Sequence, residues 1–542
     1  MLSKFSVALF LIAVALAFGF PIAEIVVHGS NLSLWPATVR PPEDWFDAMI
    51  QTYGLASLRA YRDLLLGRTE AFGPLGPTVF GAIFAIPALA FVACFIPYYG
   101  PRRDPAATYG DARWATWRER NRMRVGLELG LDPNTRRPVR IMPSSHLITV
   151  APPRTGKTSG LLIPNLLVPD HTAWSGPAFV LDPKAEAFAA TRLRREQLGR
   201  TVRCLDPVGI AGGADTWNPL ARMNPRNVLY LQRVARALLP DVQPGTEAAY
   251  FHNRAVVLLV GAFIAAYSLN KSFPAAVARL LEDPKLLAAS LAPIKGVAAG
   301  NAKAILRMDP RARDSIVSTA AQAFEWCTDL RLQRMTRTSS FSLRGLCSGD
   351  ADLFVTMPTE DIATLKPLVR WLLLDLFTTV RRCRPLEPLI CFIDEAAALG
   401  AYKEMVIAAG ELPGYNARIW SFWQGRSQIR STYGDEDADT LLNTAEIVTY
   451  SDLPLVAPDE REFVSKAVGD FTLMERGETT SEGKTSVAYR PTAVRLLTAD
   501  GVGQIPNTQH LILPNSPNYP RRPLLIEKTR FDDPRLDPLR SK

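Results

Sequence analysis

A glycine, a lysine and a threonine follow one another at Gly156-Lys157-Thr158, closing the stretch Ala151-Pro-Pro-Arg-Thr-Gly156-Lys157-Thr158. The pattern G-x-x-x-x-G-K-[ST] between a strand and a helix cradles phosphates. Backbone N–H groups near its end, a lysine ammonium on the β- and γ-phosphates and a hydroxyl on magnesium do the work. Arg154, Thr155, Gly156, Lys157, Thr158 and Ser159 supply those parts here, while Ala151 stands where the first glycine is expected. Pro152 and Pro153 lack N–H groups but fall in the rising half of the loop, where stiffness is useful. A second pair, Asp394-Glu395, ends the apolar run "LICFI". Such an aspartate lies beside Mg2+, to which Thr158 is the other protein contact, and the glutamate takes a proton from the attacking water. Gln424 ends a third run, "RIWSFW", where its amide can touch both that water and the γ-phosphate.

Each of these has a plain structural counterpart: a chance turn, a strand running into an acidic helix start, a polar strand cap. Their order in one chain, each at the end of an expected strand, points instead to ATP hydrolysis with Glu395, Lys157 and Gln424 as the catalytic residues.

The elements that must hold these residues are legible as short apolar runs. "HLITVA" (146–151), "AFVLD" (178–182), "TVRCLD" (201–206), "DLFVTM" (352–357), "LICFID" (389–394), "RIWSFW" (418–423), "EIVTY" (446–450) and "HLILP" (510–514) predict strands. Their near-continuous hydrophobicity suits a mainly parallel sheet covered on both faces by helices, an α/β architecture. Between Arg226 and about Gly345 no such run occurs. There "AVVLLVGAFIAAYSL", "PAAVARLLEDPKLLAASLAP" and "RDSIVSTAAQAFEWCTDLRLQRM" read as helices, an all-α segment inserted into the sheet domain.

Length, charge and hydropathy add the setting. A chain of 542 residues is too long for one core. A net charge of +9 and a pI near 9.3 fit a polyanionic partner or an anionic membrane face. Phe5 to Ala23 and Ala71 to Pro101 carry no charge over lengths sufficient to span a bilayer. A cleaved signal peptide competes for the first, but its small residues Ala13, Ala15 and Ala17 lie inside the apolar run rather than after it. Arginines cluster just beyond the second span, from Arg102 to Arg124, so the positive-inside bias puts both the N-terminus and the main body in the cytoplasm. No cysteine pair has C-x-x-C spacing and the five histidines are scattered, which gives no sign of a zinc site or a disulfide framework.

The expected organisation is therefore a membrane hairpin over 1–100, with spans about 5–27 and 76–98 and an outer loop 29–75. The nucleotide-binding domain follows in two parts, 101–225 and 346–542, around an inserted all-α domain 226–345.

"YGDARWAT" (109–116), "APPRTGKTSGLLIPNLL", "FVLDPKAEAFAATRLRREQLGRTVRCLDP", "WNPL" (217–220), "FIDEAAALG" and "WQGRSQIRSTYG", behind two apolar segments, resemble the type IV secretion coupling proteins of the TraG/TraD group. The resemblance covers nearly the whole chain. It implies a RecA-like P-loop ATPase that uses ATP and Mg2+, a homo-hexamer anchored in the bacterial inner membrane. Such a protein recruits a relaxase with its attached single-stranded DNA, and sometimes proteins, and delivers them to a secretion channel in conjugation. Lys157, Thr158, Asp394, Glu395 and Gln424 match that group's site positions, and Asp182 and Lys184 its "DPK" segment. Asn416 stands where Gly-Tyr-Gly is common, and Arg418, Arg426 and Arg430 are the candidates for an arginine acting on a neighbour's nucleotide. Lys303, Arg307, Arg311, Arg313, Arg331, Arg334 and Arg337 in the inserted segment are the candidate DNA contacts, with a solvated helix face as the competing reading. The arginines of 191–203 are expected to face solvent or a neighbouring subunit. A double-stranded DNA pump of the chromosome-segregation type and an ATP-gated substrate receptor without motor activity are the alternative functions.

Overall fold

The computed structural model describes residues 102–242, 245–481, 484–516 and 518–540. The expected spans and their outer loop lie outside the described residues.

An eleven-stranded sheet organises the body. Its strands in chain order are β1 (Leu127–Leu131), β2 (Pro138–Ile141), β3 (Leu147–Val150), β4 (Ala178–Leu181), β5 (Thr201–Leu205) and β6 (Ala351–Val355), then β7 (Leu389–Ile393), β8 (Ala417–Trp423), β9 (Ile447–Tyr450), β10 (Gln509–Pro514) and β11 (Leu524–Glu527). In space they run β2-β1-β11-β10-β9-β3-β8-β7-β4-β6-β5. From β9 to β5 every neighbouring pair is parallel, and from β9 to β2 every pair is antiparallel. The sheet is thus mixed with a parallel majority, a RecA-like α/β fold. "HLILP", expected among the parallel strands, pairs antiparallel with both of its neighbours.

Alternation along the strands feeds two cores. Phe179 and Leu181 of β4, with Cys391 and Ile393 of β7, point into one face, while Ala178, Val180, Ile390 and Phe392 point into the other. Both faces are apolar because both are covered, which is why these strands read as unbroken hydrophobic runs. One cover is α1 (Ile163–Leu167), continuing a π-turn over Thr158–Leu162, together with α2 (Glu186–Gln197).

Between β5 and β6 the chain is helical: α3 (Val228–Leu238), α4 (Glu247–Ser268), α5 (Pro274–Glu282), α6 (Pro284–Leu291), α7 (Val297–Leu306) and α8 (Pro310–Ala321), followed by shorter turns. Asp283 separates α5 from α6 inside one apolar stretch. Its side chain accepts from the N–H groups of Lys285 and Leu286, and Pro284 cannot donate to the preceding turn. By length and composition α4 could cross a bilayer, yet it packs against α3, α7 and α8 and is the core of this bundle. The long α9 (Ile362–Cys383) bridges bundle and sheet, and α10 (Arg426–Thr444) and α11 (Pro458–Val468) follow β8 and β9.

Sequence periodicity missed β1, β2 and β11, short strands with glycine, proline or charge in them, and a long hairpin of Asp470–Ser481 and Lys484–Arg495. Glu475–Ser481 and Lys484–Arg490 of that hairpin belong to a unit other than the body.

A phosphate loop and two carboxylates at the strand ends

Four adjacent parallel strands, β3-β8-β7-β4, bring the candidate residues together at their C-terminal ends. β8 lies between the strand that carries the loop and the strand that carries Asp394-Glu395, so Gln424 emerges beside both. At a strand spacing of ~4.8 Å, the two outer members of that trio are about 10 Å apart.

The loop's geometry answers what Ala151 does. It is fully buried and its N–H donates to the Trp423 carbonyl at 2.9 Å. The left-handed conformations in the loop fall instead on Arg154 (φ 64°) and Gly156 (φ 83°). At Gly156 a side chain would be strained. At Ala151 nothing demands glycine. Thr155 ties the turn to itself by donating to the Pro152 carbonyl at 2.7 Å, and the N–H of Gly160 donates to the Gly156 carbonyl at 2.7 Å.

Thr158 donates to both oxygens of Asp394, at 2.9 and 3.1 Å, and Gln424 Nε2 donates to Glu395 Oε2 at 3.2 Å. Burial pushes the Asp394 carboxyl up to about 6, against the opposing pull of Thr158 and Lys157. Lys157 is half-buried; desolvation lowers its pKa while Glu395 and Asp394 hold its charge in place. Asp182, ending β4, is buried and likewise pushed up to about 6, chiefly by desolvation and in part by Asp394. One of its oxygens accepts from the Phe188 N–H at 2.9 Å at the start of α2. The other, Oδ1, has no hydrogen-bond partner among the described residues. Two buried carboxyls, one with an orphaned oxygen, against a lysine and a hydroxyl form a donor set suited to a hard divalent cation and a phosphate.

Arg418 sits at the opposite end of β8, six residues from Gln424 and so about 20 Å away along the strand. It donates to the Pro143 carbonyl at 2.9 Å and to Asn416 Oδ1 at 2.7 Å, and is not part of the site in its own chain. Arg426 stacks on the Phe463 ring at 3.8 Å and its backbone N–H donates to Glu460 at 2.7 Å. Arg430 pairs with Asp435 and Asp439 at 3.3 and 3.4 Å.

The arginines and lysine of the helical segment divide. Lys303 donates to the Ala292 and Ile294 carbonyls, Arg313 pairs with Asp314, Arg331 pairs with Asp329 and Arg337 covers the Phe273 ring. Arg307, Arg311 and Arg334 are exposed. The 191–203 arginines are not all at the surface. Arg195 is fully buried in a two-pronged pair with Asp352 at 2.6 and 2.8 Å, and Arg194 caps the Leu167 and Val168 carbonyls. The Asp352 carboxylate on β6 and the carbonyls at the end of α1, invisible in the local charge run, correct the expectation of a face toward solvent or a neighbouring subunit for Arg195 and Arg194, while Arg192 is exposed.

Sequence reasoning missed the support behind the loop. Lys528 forms an ion pair with Asp452 and donates to the Thr155 carbonyl at 3.3 Å, while the Thr529 carbonyl lies so near Gly160 that a Cβ there would approach it to 3.0 Å. No short motif signals this contact, because it depends on β11 folding back beside the loop from 373 residues away.

Fold and constellation together define a P-loop α/β protein of RecA-like type. Residues 106–536 match the family described as type IV secretory system conjugative DNA transfer, and the chain belongs to that family. Among curated relatives, Protein VirD4 of Rhizobium radiobacter is 26% identical over 384 residues, covering 65% of this chain and 54% of its own. Conjugal transfer protein TraG of Escherichia coli is 26% identical over 376 residues, covering 63% of this chain and 58% of its own. The chain thus spans about half the length of these relatives. The solved plasmid coupling protein TrwB in complex with ADP and Mg2+ superposes with a TM-score of 0.58 at 17% identity, over 79% of this chain and 98% of that one. Its complex with a non-hydrolysable ATP analogue gives 0.56 at 16%, over 79% and 99%.

Proposed function

We propose that this protein is a coupling ATPase of conjugative DNA transfer, associated with the bacterial inner membrane, with its main body in the cytoplasm. The observation that carries it is the meeting of Thr158, Lys157, Asp394, Glu395 and Gln424 at the ends of adjacent parallel strands. The relatives' names and the TrwB complexes with ADP, Mg2+ and an ATP analogue support the same reading.

ATP is the substrate. Arg154 to Ser159 wrap its phosphates, and Lys157 neutralises their charge at a partly desolvated position, where the attraction exceeds that in water. Thr158 and Asp394 would hold Mg2+, which when bound would supply charge to screen the phosphate oxygens and the leaving group. Glu395 accepts the proton of the attacking water. Gln424, already hydrogen-bonded to Glu395, orients that water and carries the change in phosphate state into α10 through the Gln428 side chain, which accepts from the Gln424 N–H at 2.9 Å.

The remaining assignments rest on this reading. The membrane hairpin of 1–100 anchors the chain, while 101–225 and 346–542 form the motor around the 226–345 insertion. A homo-hexamer places an arginine from the set Arg418, Arg426 and Arg430 at a neighbour's nucleotide. Relaxase-bound single-stranded DNA, recruited from the relaxosome and passed to the secretion channel, meets the exposed Arg307, Arg311 and Arg334.

ATP turnover of the full chain in detergent, with and without single-stranded DNA, tests the reading. DNA-stimulated turnover that disappears in Lys157→Ala and in Glu395→Gln, with ATP binding kept in the latter, is expected. Turnover at background in the wild-type chain, with ATP binding intact, would replace the motor by an ATP-gated receptor.

A further inference from the structure

Where the helical segment leaves the sheet domain and where it returns, the two crossings meet the last turns of α9 around a polar cavity of about 730 Å³. A volume of that order is typical of small-ligand sites. Arg222 enters it from the outgoing crossing, Arg344 from the returning one and Arg382 from α9. All three are exposed, and their guanidinium groups make no hydrogen bond or ion pair among the described residues. Like charges lining one concave space repel one another, and Asp375 is the carboxyl there that acts on Arg382. The same cavity is lined by Thr378, 8% exposed, whose Oγ1 is buried without a hydrogen-bond partner among the described residues. An orphaned buried hydroxyl is costly unless something fills it. Asp375 also faces the cavity, but it accepts from the Tyr230 hydroxyl, and burial pushes its carboxyl up to about 7, which blunts its charge against an anion.

We propose that this cavity is a second anion site, separate from the Lys157 loop, which takes the phosphate groups of a phosphorylated small molecule on Arg222, Arg344 and Arg382 with Thr378 donating. Guanidinium forks match phosphate oxygens, and a hydroxyl completes the set. A half-open concavity of this size, with a single aromatic ring from each of Trp217, Tyr230 and Phe341 in its lining, suits a compact ligand better than a nucleic-acid track, which needs an extended groove with successive stacking platforms. Its position at both crossings lets an occupant bias how the helical segment sits on α9.

The site does not depend on the ATPase reading, and the test separates the two. Inorganic pyrophosphate is titrated calorimetrically into the full chain in detergent carrying Lys157→Ala, without Mg2+. One binding event is expected, weakened roughly tenfold or more by Arg344→Ala and by Arg382→Ala, since loss of a single charge-assisted pair is worth about a factor of ten. Thr378→Val, with an unchanged melting temperature, is expected to weaken it as well. ADP and a thymidine oligonucleotide are separate arms: ADP binding that depends on the same arginines identifies a nucleotide, and binding confined to the oligonucleotide overturns the small-molecule site. Pyrophosphate binding that vanishes with Lys157→Ala alone, or that persists unchanged in both arginine variants, also overturns it.

Discussion

Replacing Ala151 with glycine restores the usual phosphate-loop pattern, and the structure says this gains nothing. The residue is fully buried, it donates its N–H to the Trp423 carbonyl, and the positive φ angles of the loop belong to Arg154 and Gly156. Glycine would therefore relieve no backbone strain. It would lose one buried methyl, about 0.8 kcal/mol, and add unfolded-chain entropy of about 0.5–1 kcal/mol. Ala151→Gly is expected to destabilise the body by about 1.5 kcal/mol, lowering its melting temperature by about 2 °C for a chain of this size. A fluorescent ATP analogue titrated into the same protein is expected to bind within about twofold of wild type, well short of the ~1.4 kcal/mol that tenfold requires. Tenfold tighter binding by the glycine variant would refute the reasoning, because it would mean that the Ala151 methyl obstructs the phosphates.

In the same loop Arg154→Gly removes a left-handed arginine and is expected to raise the melting temperature in the absence of nucleotide, by about 1 kcal/mol in stability; a fall would show that the arginine side chain holds the turn. Breaking the buried pair by Arg195→Met leaves Asp352 unpaired and is expected to cost about 3–5 kcal/mol, read by chemical denaturation, whereas removing both charges together costs less. Asp182 has its carboxyl raised from 3.8 to about 6 in the folded state, so the stability it contributes is present below pH ~4 and lost as pH rises through ~6. Asp182→Asn without nucleotide is expected to flatten that part of the pH–stability profile by at most about 3 kcal/mol, and an unchanged slope would refute the assignment. Removing Arg307, Arg311 and Arg334 together is expected to weaken single-stranded DNA binding and lower its salt slope, with the engaged Lys303, Arg313, Arg331 and Arg337 contributing less; an equal effect of the two groups would remove the distinction.

What the sequence determined by itself was local: the turn chemistry of Ala151 to Thr158, the apolar runs ending in Asp394-Glu395 and Gln424, and the helical stretch between β5 and β6. Those features come from backbone preferences and periodicity within a dozen residues, so they are readable one window at a time. The strand order was not, because pairing depends on surfaces far apart in the chain. That order sets β8 between β3 and β7 and thereby puts Gln424 on Glu395. It also turned "HLILP" antiparallel, sank Arg195 onto Asp352 and brought Lys528 behind Thr155. A charged residue in a polar run looks solvated until a partner of opposite charge arrives from another element, and only the tertiary fold supplies that partner.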